Sequence, residues 1–302
     1  MKKRILLLAL AVVVGIALVG CGGGGDGEAS NGNTGDKKGD VVELKLGHIQ
    51  SESDLWHQGA LLFKEEVEKR SDGTMTVQIY PNSTLGGDRD MAEGLQMGTL
   101  DFSLIAGVLG NFEPSIQLLE LPYLFDSEEE YKKIVDGEIG QEIADRVLES
   151  SGIRIIDFWD RGPRHVTSNK PINSLADIKG LKIRLPEIQA MQVTWEAMGA
   201  APTTMAWNEV YTALQQNVIE AQENPIPFIY GGKINEVQDY LALTAHKYEY
   251  VTLSMSEKTW SKLTEEQRQI ITDASAAATE FENKAVKEQT EDMLAEMVEG
   301  GL

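Results

Sequence analysis

The feature that most constrains the fold is an alternation of strand-period and helix-period hydrophobicity that occurs twice. Val42, Leu44 and Leu46 alternate with Glu43, Lys45 and Gly47, the period of a strand. Trp56, Ala60, Phe63 and Val67 then recur at helical spacing, predicting a helix from about Asp54 to Arg70 that Ser71-Asp72-Gly73 stops. Met75 to Tyr80 reads as the next strand. A helix follows from about Asp88 to Met97, ended by Gly98 as a left-handed cap, and Asp101 to Ile105 is a third strand. Strand–helix–strand–helix–strand at these lengths implies a parallel α/β sheet. The pattern returns with a strand at Leu181–Leu185, helices at Gln189–Met198 and Asn208–Gln216, and a strand at Val218–Gln222. Laying 90–102 over 209–221 pairs Met91 with Val210, Leu95 with Leu214 and Gly98 with Asn217, the last two both tolerant of a left-handed cap. This favours two similar α/β lobes over one large sheet.

The tail supports two lobes. Thr264-Glu265-Glu266-Gln267 is a capping box, and no Gly or Pro follows until after Glu299. Ile270, Ala274, Ala277, Phe281 and Ala285 fall three or four apart and predict the buried stripe. A helix of that length reaches roughly 50 Å at about 1.5 Å per residue, more than one small lobe can cover. It is expected to lie across both lobes.

The other end of the chain carries an address. Lys2, Lys3 and Arg4 precede an apolar run, Ile5 to Val19, which closes with Gly20 before Cys21. This is a signal peptide over 1–20. With the single cysteine of the chain next in line, it resembles the bacterial lipoprotein signal, in which Cys21 is lipidated and anchors the protein at a membrane. Residues 21–40 are then the lipidated cysteine and a flexible Gly-, Ser- and Asp-rich linker. The net charge is −21, and loss of the three basic residues of the leader makes it −24. Such acidity argues against nucleic acid or an anionic lipid surface as partner.

Catalytic signals are scarce. There is no G-x-S-x-G, H-E-x-x-H or P-loop, and no G-x-G-x-x-G after a strand. The four histidines lack metal-ligand spacing, and Glu128-Glu129-Glu130 follow Ser127 as a solvated helix start. No enzyme activity, cofactor or metal is expected. The middle of the chain differs. Arg161-Gly162-Pro163-Arg164 sets two arginines beside a strand, and Arg184 ends the apolar strand Leu181-Lys182-Ile183-Arg184-Leu185-Pro186. An arginine fork matches a carboxylate in two-point geometry. Spacing alone leaves open an anion cradle or structural ion pairs to Asp and Glu.

Three segments resemble one family. They are YPNSTLGGDRDM (80–91), RHVTSNKPINSLADIKGLKIRLPE (164–187) and PTTMAWNEVYTALQQNVIEAQENP (202–225). They are similar, in order and spacing, to the DctP-type solute-binding proteins of tripartite ATP-independent periplasmic (TRAP) transporters, over about Val42 to the end. The resemblance implies a two-lobed, periplasmic-binding-protein-like α/β fold with crossing strands, a long C-terminal helix and a ligand cleft between the lobes. It assigns 41–161 plus about 250–280 to lobe I, and 162–249 plus the end of the long helix to lobe II. Members usually continue past the point where this sequence reads Gly301-Leu302.

The same resemblance implies site residues. Arg184 matches the arginine that pairs with the ligand carboxylate, Arg164 a second arginine contact, and Asn224 a polar contact. Trp207 matches the aromatic that closes over ligand, and Asp88 and Arg89 face the cleft from lobe I. His48 at the first strand is a further candidate. In sialic-acid-binding members the first strand supplies an asparagine and the third a glutamate; here those places read Ile49 and Ala106, which argues against sialate. Pro186-Glu187 and Trp207 favour a sugar acid, a uronate or aldonate, over a C4-dicarboxylate. The expected partners are a small organic acid, the TRAP permease subunits and, through the lipid, a membrane, with the protein working outside the cytoplasm. A ligand-sensing protein and a surface enzyme acting on acidic sugars are the competing readings.

Overall fold

The computed structural model describes residues 41–302; the signal peptide, Cys21 and the linker lie outside the described residues. The first part runs β1 (Val42–Gly47), α1 (Leu55–Arg70), β2 (Met75–Tyr80), α2 (Asp88–Met97), β3 (Phe102–Ile105), α3 (Glu128–Val135), α4 (Glu138–Ser151) and β4 (Ile153–Ser168). The second runs α5 (Leu175–Ile178), β5 (Lys182–Leu185), α6 (Gln189–Ala197), β6 (Ala201–Thr204), α7 (Trp207–Gln215), β7 (Ala221–Pro225) and α8 (Ile226–Gly231). Then come β8 (Tyr240–Ser256), α9 (Glu257–Trp260) and α10 (Glu265–Glu299).

The strands lie in the order β2-β1-β3-β8-β4-β7-β5-β6. β1 pairs in parallel with β2 and β3, and β5 with β6 and β7. These are the two α/β lobes read from the sequence. They are not separate sheets, however. The 16-residue β4 and the 17-residue β8 run antiparallel through the middle, and β8 also pairs with β3 while β4 pairs with β7. One hydrogen-bonded ladder therefore passes from lobe to lobe through two shared strands.

Local chemistry explains most boundaries. Asp54 caps α1 by accepting from the Trp56 amide, and Gly98 (φ 73°) and Asn217 (φ 56°) take the left-handed conformations expected of them. Ser127 and Thr264 cap α3 and α10. One strand is displaced. β7 covers Ala221–Pro225, not Val218–Gln222, because the chain is still leaving α7 at Val218 and Val218 is exposed. The true strand, Ala-Gln-Glu-Asn-Pro, is polar yet wholly buried.

α10 packs against α1, β4 and α8. Its buried stripe is Ile271, Ala274, Ser275, Ala278, Glu282, Ala285 and Val286. This is rotated from the expected stripe: Phe281 is 37% exposed. The close approach to β4 selects small side chains, and the bulkiest apolar residue is turned outward.

Glu282 on that stripe is fully buried, and neither carboxylate oxygen has a hydrogen-bond partner. Burial, with Asp160 and Asp54 nearby, pushes its pKa well above the usual carboxylate range. The folded state therefore holds a proton that the unfolded chain releases above about pH 4.5. This contribution to stability is lost as pH rises. Glu282→Gln should raise the Tm at pH 8 by roughly 2–4 °C, the shift of about 1 kcal/mol in a domain this size, and by less at pH 5. Equal shifts in calorimetric scans at both pH values would show that Glu282 is ionised when buried.

Candidate ligand-binding site

The crossing of β4 and β8 is held by an unbroken run of buried ion pairs. Glu223 on β7 receives the fork of Arg164 (β4), Nε to Oε2 at 2.5 Å and Nη2 to Oε1 at 2.6 Å. Arg164 Nη1 donates to Glu249 on β8, which also accepts from Arg161 and, at 2.9 Å, from Lys247. Lys247 continues to Glu120. His246 lies 3.1 Å from Glu223, and burial lowers its pKa, leaving the ring neutral. Burial alone would raise the pKa of Glu223, but Arg164 and His246 outweigh it and hold the carboxyl at about 2. Both of these acids, then, stay ionised: Glu249 is likewise held below the usual range, burial being outweighed by Arg161, Arg164 and Lys247. Arg164 has its donors committed within the protein, which is the structural ion-pair arrangement that spacing left open.

Arg184 is different. It is buried near the end of β5, and its Nε and Nη2 donate to the Met205 carbonyl at 3.0 and 2.7 Å. Among the described residues no carboxylate pairs with it. Burial lowers its pKa to about 10, well above neutrality, so the guanidinium keeps its charge. The carbonyl contact fixes the fork and leaves Nη1 without a partner among the described residues.

A small, narrow cavity opens on this arginine. Arg161, Arg164, Arg184, Asp88, Asn224 and Glu249 supply its polar wall. Trp56, Trp207 and Phe228 supply aromatic faces, and Ile49 and Ala106 add small apolar surface. Trp207 opens α7; its ring lies 4.5 Å from that of Phe228 and 5.8 Å from the Arg184 guanidinium. A Cβ at position 232 would meet the indole at 2.5 Å, so Gly232 makes room for it. Asp88 opens α2; its Oδ1 is buried without a partner, and burial raises its pKa to about 6.

Of the sequence candidates, then, Arg184, Arg164, Asn224, Trp207 and Asp88 converge on one cavity. Arg89 stands at its rim: it is 58% exposed and reaches Glu187 at 3.4 Å and Glu93 at 3.2 Å. It lines an adjoining depression with Gly87 and Met205. His48 does not belong to the cavity lining. It continues the inward side of Leu44 and Leu46, and its Nε2 meets His57 Nδ1 at 3.1 Å; the next residue, Ile49, takes the cavity position. Sequence reasoning missed Trp56, Phe228 and Glu249 altogether, because nothing local in α1, α8 or β8 marks them.

Residues 46–302 match the family described as bacterial extracellular solute-binding protein, family 7. The chain belongs to that family. It is 40% identical to a solute-binding protein of Roseobacter denitrificans over 241 residues, 80% of this chain and 74% of the other. It is 32% identical to the C4-dicarboxylate-binding periplasmic protein DctP of Rhodobacter capsulatus, over 86% of this chain and 79% of that protein. A crystal structure of the Roseobacter TRAP periplasmic solute-binding protein, with bound L-galactonate, superposes with TM-score 0.85 over 87% of this chain and 88% of the other. One from Sulfurospirillum deleyianum, with bound succinate, gives 0.82 at 34% identity over 85% and 84%. The protein is a solute-binding component and not an enzyme, of a family that serves TRAP transporters outside the cytoplasm.

The contrast between the two arginines is testable without ligand. Arg164→Met strands Glu223 and should cost about 3–5 kcal/mol. Arg184→Met removes a buried charge with which no carboxylate is in hydrogen-bond contact, and should leave the ligand-free protein at least as stable. Denaturant melts of both variants check this; comparable losses in the two would mean that Arg184 is compensated within the protein.

Proposed function

We propose that this protein captures a sugar acid, a uronate or aldonate, and delivers it to a TRAP permease. The observation that carries the reading is Arg184, a buried, charged and unpaired fork in a cavity with aromatic walls. A carboxylate on Arg184 supplies the missing anion in bidentate geometry. Trp207 and Phe228 offer faces to the C–H surface of a sugar-like chain. Asn224, and Asp88 with its unpartnered oxygen, offer polar contacts to hydroxyl groups. Arg164 acts by holding Glu223 and the crossing strands, and Arg89 with Glu187 borders the entrance. Relatives with bound L-galactonate, β-D-galacturonate and L-gulonate support the sugar-acid class. The succinate-bound relative makes a C4-dicarboxylate the second reading.

The lobes, 41–161 with about 250–280 and 162–249 with the end of α10, would close about β4 and β8. The leader and Cys21 fit a lipoprotein, with linker 21–40 letting the domain reach both solute and permease.

A thermal-shift screen of aldonates, uronates and dicarboxylates tests the ligand class. Ligand at a hundred times its Kd should stabilise by about 2.7 kcal/mol. Aldonates or uronates should give the largest shifts, and Arg184→Met should abolish them. Shifts from succinate or malate alone would reverse the order of the two readings. Trp207→Ala separates them further. Loss of stacking worth on the order of 1 kcal/mol should weaken an aldonate several-fold while leaving succinate within about twofold. Equal affinities for all acids in variant and wild type, with a lowered Tm, would make Trp207 a core residue only.

A further inference from the structure

Arg161 is the arginine of the cavity that the family resemblance does not account for and whose donors the ion-pair run uses only in part. In the β4–β8 ladder Asp160 pairs with Tyr250 and Gly162 with Glu249, so Arg161 is the extra residue of a bulge. Gly162 takes φ 72°, the left-handed conformation that such a bulge needs. Bulges re-aim side chains, and this one turns the Arg161 guanidinium into the cavity. There it lies against two rings that meet edge to face, 4.9 Å from the centroid of Trp56 on α1 and 4.3 Å from that of Phe228 on α8.

Its donors are only partly used. Nη1 donates to Glu249, and no other hydrogen bond of this side chain is made among the described residues. Nε is buried without a partner, although the residue is only 4% exposed. A buried N–H left unpaired is costly, more so when charged, so an acceptor brought by a ligand would recover that cost.

The charges around the cavity say what kind of acceptor. Arg161, Arg164 and Lys247 face Glu120, Glu223 and Glu249, three cations against three acids. Arg184 is left for one carboxylate, and Asp88 adds an acid to the same wall. A second carboxylate on the ligand would meet no further uncompensated cation. A neutral oxygen meets the open donors of Arg161 without adding charge.

We propose that Arg161 is a second ligand-contacting residue, donating from Nε to a hydroxyl oxygen on the carbon chain of a ligand whose carboxylate sits on Arg184. It thereby selects hydroxylated monocarboxylates over dicarboxylates and over plain fatty acids. This rests on the placement of the carboxylate at Arg184 given above.

Calorimetry of wild type, Arg161→Gln and Arg161→Lys with galactonate, erythronate, hexanoate and succinate tests it. Wild type should bind the better of galactonate and erythronate at least tenfold more tightly than hexanoate or succinate. Arg161→Gln should weaken that hydroxy acid by about ten- to a hundredfold, the range for a hydrogen bond to a charged group, and change hexanoate by no more than about twofold. Arg161→Lys, which keeps the charge but not the fork, should recover only part of the loss. Hydroxy-acid binding by Arg161→Gln within twofold of wild type, or an equal loss for hydroxy acid and hexanoate, would overturn the assignment while leaving the sugar-acid reading intact. Wild type that binds succinate and neither hydroxy acid would overturn both. A crystal structure of wild type with the bound hydroxy acid decides the matter even if the variants do not fold. A hydroxyl oxygen within about 3.2 Å of Nε supports the contact, and none within about 4 Å refutes it.

Discussion

The structure depends on the cost of burying arginine charge. Three guanidinium groups, two from β4 and one from β5, line one cavity, each at most 4% exposed. An isolated ion in such surroundings is costly unless it is paired and hydrogen-bonded. Arg164 and Arg161 are paired, through Glu223 and Glu249, with Lys247 and Glu120 extending the chain of charges. That run links β7, β4 and β8 to the segment around Glu120. It also needs backbone room: a Cβ at position 107 would collide with the Glu120 carboxylate at 2.2 Å. Arg184 has only a carbonyl. The strand crossing is thus built so that one positive charge is left for something from outside.

How far the sequence disclosed this depends on the kind of signal involved. Elements with an apolar period and a chemical stop, such as α1 with Asp54 and Ser71 or α2 with Gly98, were legible to within a residue or two. β7 was not, because its side chains are polar. Gln222, Glu223 and Asn224 are buried for the ion pairs and the cavity, so the hydrophobic pattern pointed to Val218 and Ile219 instead. The stripe of α10 was misread for a related reason. Phe281 looks like a core residue, but close packing on β4 takes Ala and Ser. Arg184 stood out as an arginine in an apolar strand, and the motifs around it pointed to the carboxylate role. That Arg164 is saturated by acids could not be read from spacing. Glu223 and Glu249 lie 59 and 85 residues away in sequence.

The shared strands also explain how two lobes can act together. β4 and β8 join the two parallel groups of strands into one sheet, and α10 packs on both α1 and α8. The β4–β8 ladder is interrupted by register shifts at Asp160/Gly162 and Arg164/Val166. These irregularities flank both paired arginines. The rings against Arg161 come from α1 and α8, so its guanidinium stands where helices from both parts of the chain meet.

A chain of net charge −21 that takes up an anion looks contradictory until distances are considered. At physiological salt, charges separated by more than about 8 Å are largely screened when solvent lies between them. The acidic surface therefore has little influence on the equilibrium inside the cavity, though it slows encounter at low salt. What remains is the local balance: Arg184 unpaired, Asp88 opposite it, and a set of ion pairs that cancel. Relatives with the same fold hold L-galactonate in one case and succinate in another, so the scaffold does not choose the ligand. The choice falls to the few donors, acceptors and rings that face the cavity.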